Sequence, residues 1–254
     1  MVICTSITKS YLEKSQPFFQ SVNQHYTGRK VCFTIGFNAK IEGWETISVL
    51  PQFNWRPKNR EDYYSLQHGE FIQHLNVDDE EMILFLDSDM ILQREWDLEF
   101  PPTDAFLVTL CSYPPLKLFE VVKNLGIKGN REGFYDKYKA FLQREFCACF
   151  LIAKAKNWKI LFELVKQNIK MLNSFEHHAA WQLLINICIT NYMKAIKLPD
   201  HICNAEWYEG TSAKVESVLE TIQVHPMGGG AHVESVKKLK LGDEVVYFNH
   251  TKFN

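Results

Sequence analysis

Asp87 and Asp89 stand one residue apart in the stretch from Met82 to Leu92, which reads MILFLDSDMIL. On a β-strand, residues i and i+2 project to the same side, so the two carboxylates can be aimed at one cation. The apolar run from Met82 to Leu86 predicts a central strand buried on both faces. Ionised carboxylates at the end of such a strand are costly to desolvate unless a metal or a cationic partner compensates them. The chemistry indicated is therefore a divalent-cation or phosphate site. A bare D-x-D arises by chance about once in a chain of this length, so the apolar run in front of it carries the inference.

Several elements must position these carboxylates. Val2 to Ile7 reads as a first strand ending in small hydroxyl residues, Thr5 and Ser6 among them. Lys9 to His25 reads as a helix, with Leu12, Phe18, Phe19 and Val22 at roughly helical spacing. Lys30 to Phe37 and Glu45 to Leu50 read as strands, and Arg60 to Leu75 as a helix with Tyr64, Leu66, Phe71, Ile72 and Leu75 on its apolar face. An acidic turn from Asn76 to Glu81 precedes the aspartate strand. This alternation predicts an α/β domain with a mainly parallel sheet and helices on both faces. Ligands of such sheets bind beyond the carboxyl ends of the strands. Thr5–Ser6, Gly36–Phe37 and Asp87–Asp89 would then line one crevice, which fits a nucleotide with its phosphates at the aspartates.

The second half is less regular. Strands are predicted at Ala105 to Cys111, Glu145 to Ala153, Glu220 to His225 and Val245 to His250, and helices at Asn157 to Leu172 and Glu176 to Asn191. Between the first two of these strands lies an excursion, Ser112 to Arg144, with Pro114–Pro115 and helices near Leu116 to Leu125 and Tyr135 to Leu142. Pro199 ends the segment that starts at Tyr192. Repeats, low-complexity tracts and an interdomain linker are all absent from the sequence. The expected organisation is one domain over 1–254, with a nucleotide-binding half at 1–111 and an acceptor-side half at 112–254.

Composition removes some function classes. The 254 residues carry a net charge of −2, so no global basic field draws the chain to nucleic acid. Seven cysteines, an odd number without C-x-x-C spacing, read as reduced and mostly buried thiols rather than zinc ligands. The start of the chain lacks a charged segment followed by a long apolar one, and there is no apolar run of ~18 residues. The expectation is a cytoplasmic protein with no membrane span.

Two catalytic families use D-x-D after an apolar strand. In phosphatases of the haloacid-dehalogenase type the first aspartate is a nucleophile, usually on the first strand, with Thr or Val two residues after the second aspartate. Here two strands and a helix come first, and position 91 is Ile. The other family is the glycosyltransferases of the GT-A fold, which place the motif at the end of a later strand. Further downstream, Glu176-His177-His178-Ala179-Ala180-Trp181 is followed by Asn186, Leu198-Pro199 precedes Asn204, and His225-Pro226-Met227-Gly228 follows a predicted strand. With these motifs the chain resembles a GT-A glycosyltransferase, and its order of elements is similar to the glycogenin-like and lipopolysaccharide galactosyltransferase family. The resemblance covers most of the chain, and its specific parts are D-S-D and H-x-x-G. The family's D-Q-D helix start is Glu-His-His here, and Ala231, His232 and Val233 stand where the family has Lys-Pro-Trp.

The resemblance implies a Rossmann-like, mixed and mainly parallel sheet flanked by helices. It implies transfer of a sugar, a hexose in the main, from a UDP- or GDP-sugar to a hydroxyl of a glycan, glycoprotein or glycolipid, with Mn2+ or Mg2+. Carried over residue by residue, Asp89 binds the metal, and Asp87, with Ser88 beside it, binds metal or ribose. His225 is the third metal ligand, with His250 as the alternative. Thr5 and Ser6 hold base and ribose, although helix capping accounts for them nearly as well. Arg60 and Gln67 reach the donor from the helix before the aspartate strand. Gly228 allows close backbone approach to a phosphate. Lys252 substitutes for the absent lysine on the diphosphate. Glu176 stands near the donor sugar or acceptor, as acceptor base or as stabiliser of an oxocarbenium-like centre. Whether the anomeric configuration is retained or inverted does not carry over. The other classes compatible with the residues are a nucleotidyltransferase, a dehalogenase-type phosphatase, and a non-catalytic nucleotide-binding domain.

Overall fold

The structure, a computed structural model, describes residues 1–53, 64–92, 94–97, 100, 103–110, 146–174, 180–198, 203–204 and 248–250. The excursion 112–144 and the predicted strand 220–225 lie outside the described residues.

Ten strands are described: β1 (Val2–Thr8), β2 (Arg29–Ile35), β3 (Glu45–Val49), β4 (Met82–Leu86), β5 (Met90–Leu92), β6 (Phe106–Leu110), β7 (Phe146–Lys154), β8 (Ala195–Lys197), β9 (Cys203–Asn204) and β10 (Phe248–His250). Seven of them form one sheet in the order β3-β2-β1-β4-β7-β6-β8, and β5, β10 and β9 form a second, small sheet. β3, β2, β1 and β4 run parallel, β7 is antiparallel to both β4 and β6, and β8 is parallel to β6. This is the mainly parallel sheet that the alternating sequence pattern predicts, with the mixed directions that the family resemblance implies.

The near-continuous apolar runs of β1, β2 and β4 follow from burial on both faces. Ile3 and Leu84 pack on one face of the sheet with Phe18, Phe19 and Trp44. Cys4 and Phe85 pack on the other with Phe71, Trp158 and Trp181. The helix α1 (Gln16–His25) covers the first face through Phe18, Phe19 and Val22. The helices α2 (Ala155–Asn168) and α3 (Ala180–Tyr192) cover the second. Trp158 anchors that face. It is fully buried, its ring centroid lies 4.9 Å from Phe71 and 5.0 Å from Phe106, and its Nε1 donates to the Ile83 carbonyl at 3.3 Å.

Two predicted helices are shorter than their apolar spacing suggests. The helix expected from Lys9 begins only at Gln16, after a single 3-10 turn at Lys9–Tyr11. Pro17 accounts for this, because proline is tolerated in the first helical turn and not in a helix interior. Of the helix expected over Arg60 to Leu75, residues 64–69 are non-helical, and only Glu70–His74 forms a 3-10 turn. Gly69 breaks it with φ of 96°, a left-handed conformation that favours glycine. A Cβ there would sit 3.1 Å from the Trp158 carbonyl oxygen, so the chain passes too close to α2 for a side chain.

At the edge of the sheet where β4 starts and β7 ends, Lys154 and Lys156 each pair with Glu80 and Asp104 at 2.6–2.9 Å. The hydrogen bonds from both lysines lower the Asp104 carboxyl to about 2. This network ties Asp104, just before β6, to β7 at the end of β4 remote from Asp87.

Cys4, Cys32, Cys147, Cys149 and Cys188 are buried and none of them forms a disulfide. Burial pushes the Cys188 thiol up to about 12, which makes it a packing residue rather than a nucleophile.

Candidate active site

β1, β2 and β4 are parallel and end at one edge of the sheet. Midway along β1, which runs on to Thr8 beyond the end expected at Thr5–Ser6, the fully buried Thr5 donates from Oγ1 to the Leu86 carbonyl at 2.7 Å. Its hydroxyl thus braces the last residue of β4 before Asp87. Ser6, 8% exposed, accepts the Leu66 N–H on Oγ at 3.0 Å, which leaves its own O–H to donate. Gly36, just past β2, turns the chain at φ of 74° with open space beside it.

Asp87 and Asp89 do not sit on a strand. β4 ends at Leu86, and the Met90 N–H donates to the Asp87 carbonyl at 3.3 Å, which closes a turn over Asp87, Ser88, Asp89 and Met90. The period-2 argument for their common direction therefore does not apply, because they are the first and third residues of a turn. Asp and Ser suit such turns through their short polar side chains. Both aspartates are half-buried, while Ser88 is buried at 8% exposure. The turn hangs from β7 as well as β4, since the Asp87 N–H donates to the Cys149 carbonyl at 3.0 Å. Beside it the β6–β7 register shifts: between the pairs Val108↔Leu151 and Leu110↔Phe146, one residue of β6 stands against residues 147–150 of β7.

The small sheet brings a distant part of the chain to this turn. β10 pairs antiparallel with β5, and His250 lies opposite Met90, the residue after Asp89. β9 lies alongside β10, with Asn204 opposite Asn249. Directly opposed residues in an antiparallel pair have Cα atoms about 5 Å apart. The backbone of His250 is thereby placed one residue away from the D-x-D. His225, the other expected ligand, lies outside the described residues, as do Arg60, Glu176, Gly228 and Lys252. A hard divalent cation takes carboxylate oxygens with an occasional imidazole, and that donor set matches the aspartate turn with His250 across from it. Among the described residues no group of three ready-made ligands is assembled.

Gln67 is buried at 4% exposure, in the segment 64–69 that crosses behind Ser6. In the same segment is a pair that the apolar-spacing argument passed over. His68 and Glu70 are fully buried and joined at 3.0 Å, and the His68 ring stacks on Trp181 with centroids 4.2 Å apart. The only hint in the sequence is two ionisable residues inside the run Leu66 to Ile72. Burial holds the His68 imidazole below its ordinary value of 6.5, against the opposing pull of the Glu70 carboxyl. The folded state thus binds the proton more weakly than the unfolded chain, so this contribution is full above pH 6.5 and is lost as pH falls below it. Stability measured by denaturant titration should fall from pH 7 to 5, with His68 contributing up to about 1.4 kcal/mol per pH unit. His68→Gln should flatten that part of the profile, and an unchanged profile would show that His68 is not its source.

Neither a family model nor a curated protein sequence matches the chain. Solved structures do match. The crystal structure of the galactosyltransferase LgtC in complex with donor and acceptor sugar analogs superposes with a TM-score of 0.54 at 14% identity, covering 80% of this chain and 75% of that one. An active-site mutant of LgtC gives 0.54 at 14% identity over 84% and 81% of the two chains. The chain has the GT-A fold of LgtC. In this GT-A sheet the D-S-D turn lies at the carboxyl end of β4, between β1 and the antiparallel β7. Among the described residues no helix is long and apolar enough to cross a membrane.

Proposed function

We propose that this protein is a metal-dependent glycosyltransferase that moves a sugar, a hexose in the main, from a UDP- or GDP-sugar to an acceptor hydroxyl of a glycan, glycoprotein or glycolipid. The observation that carries this reading is the Asp87–Met90 turn at the carboxyl end of a central strand, with β10 laid against β5. The fold likeness to LgtC supports it.

In this reading Asp89 holds Mn2+ or Mg2+, and Asp87 holds the cation or the donor ribose, with Ser88 fixing the turn between them. His250 is the preferred third ligand because of its register opposite Met90. When bound, the cation offsets the negative charge that develops on the departing diphosphate. Ser6 faces the nucleoside with a hydroxyl proton to donate, and Thr5 keeps the end of β4 in register with β1. Gln67, Arg60, Gly228 and Lys252 belong to the donor side by resemblance, and Glu176 belongs near the transferred sugar or the acceptor. The proposal takes 1–254 as a single domain, with the acceptor bound by the half after residue 111.

The test is slow hydrolysis of a panel of nucleotide sugars with and without Mn2+. Release of one nucleoside diphosphate that requires the metal supports the reading. Phosphate release from simple phosphomonoesters would replace it with the phosphatase alternative. The same assay separates the two histidines. His250→Ala should lower metal-dependent release by about 10- to 100-fold and raise the Mn2+ concentration needed, whereas His225→Ala should leave that requirement within about threefold. The reverse ranking would return the ligand role to His225.

A further inference from the structure

Glu70 is a fully buried carboxyl that gathers three partners from two stretches of chain. Its Oε1 accepts the Gln52 backbone N–H at 2.5 Å, and its Oε2 accepts from the Tyr64 hydroxyl at 3.4 Å and faces His68 Nε2 at 3.0 Å. Aromatic rings enclose the imidazole: Trp181 stacked at 4.2 Å, Phe53 at 5.5 Å and Phe162 at 6.3 Å.

Stability alone does not account for such a pair, because replacing both partners of a buried polar contact by well-packed apolar groups is often nearly neutral. What the pair supplies is a defined path for residues 64–69, which are not held by helical hydrogen bonds. That path passes the proposed donor site, where the Leu66 N–H meets Ser6 Oγ in the carboxyl-terminal half of β1. The side chains brought there, Ser6, Ser65 and Gln67, are uncharged and buried. They suit the neutral hydrogen-bonding part of a nucleotide, its base and ribose, rather than the diphosphate.

We infer that Glu70, acting through His68, is a positioning residue that sets segment 65–67 against Ser6 and thereby fixes the affinity of the enzyme for the nucleoside part of its donor. This rests on the reading of the crevice as a donor site. The experiment compares the full-length wild type with Glu70→Gln, and with Glu70→Ala where that variant folds, in two measurements. Hydrogen–deuterium exchange reads the backbone of 64–69, and steady-state hydrolysis of the preferred nucleotide sugar reads KM and kcat. Glu70→Gln is expected to speed exchange across 64–69 by about tenfold or more while β1 and β4 keep wild-type protection. It should also raise the donor KM about tenfold with kcat within about twofold. Glu70→Ala should do more of both. Unchanged exchange overturns the positioning role. Faster exchange with an unchanged KM overturns the link to the donor. A wild type that hydrolyses no nucleotide sugar instead sinks the transferase reading, and the donor link with it, while the exchange result still decides whether Glu70 holds the segment.

Discussion

Asp89→Asn is expected to reduce metal-dependent release of nucleoside diphosphate by at least about 100-fold, and by about 1,000-fold if Asp89 is the principal ligand. A bound cation contributes several kcal/mol to a transition state that accumulates charge on the leaving group, and each 1.4 kcal/mol is tenfold in rate. Asparagine has nearly the same shape and suits the same turn, so the fold should not change. The bond that closes the turn runs from the Met90 N–H to the Asp87 carbonyl, and neither group is altered. The decisive comparison is kcat across a Mn2+ titration alongside the melting temperature. A variant that melts like the wild type and keeps activity within about threefold would remove Asp89 from the metal site. Partial recovery at high Mn2+ would support a ligand whose loss weakens binding.

Trp158→Ala should cost about 3–5 kcal/mol of stability, the range for truncating a large buried aromatic residue. Trp158 is 0% exposed and touches aromatic rings from three elements of the core. Its loss opens a cavity under β4 and removes the Nε1 donor from the Ile83 carbonyl. A buried carbonyl left unpaired adds its own penalty. In a chain of 254 residues the melting temperature should drop by roughly 10 °C or more. Two residues further along the same helix, Ile160 is 49% exposed, and Ile160→Ala should fall within about 0.5 kcal/mol of wild type. If guanidinium titration gave both variants similar midpoints, the described core would be wrong about where α2 faces.

Strands β1 to β4, β6, β7 and β10 and the long helix α2 were legible because burial imposes a local period, whereas the short β5, β8 and β9 were not. Met82 to Leu86 read as a two-faced strand, and the helical spacing of Trp158, Leu161, Leu164 and Val165 pointed to an inward stripe on α2, of which Leu164 is only partly buried. The helix expected from Arg60 was not. Tyr64, Leu66, Phe71, Ile72 and Leu75 do lie at helical spacing and are all buried. Their burial comes instead from a chain that bends at Gly69 against Trp158, a contact invisible to local pattern. The place of the aspartates after the apolar run was legible but their local geometry was not, since a strand and a turn can both follow such a run. Least legible was the approach of His250 to Met90, because no periodicity links positions so far apart along the chain. His225, with His250 as the alternative, was chosen from motif spacing; the pairing puts the His250 backbone opposite Met90, and His225 lies outside the described residues.

The placement of β7 has a consequence for how the chain can be divided. β7 comes from the second half of the sequence, yet it stands between β4 and β6, both from the first. A fragment ending at residue 111 would leave β4, the strand that carries the aspartate turn, with one flank bare and its amides open to other chains. The aspartate turn and the sheet that carries it thus draw on strands from both halves of the chain.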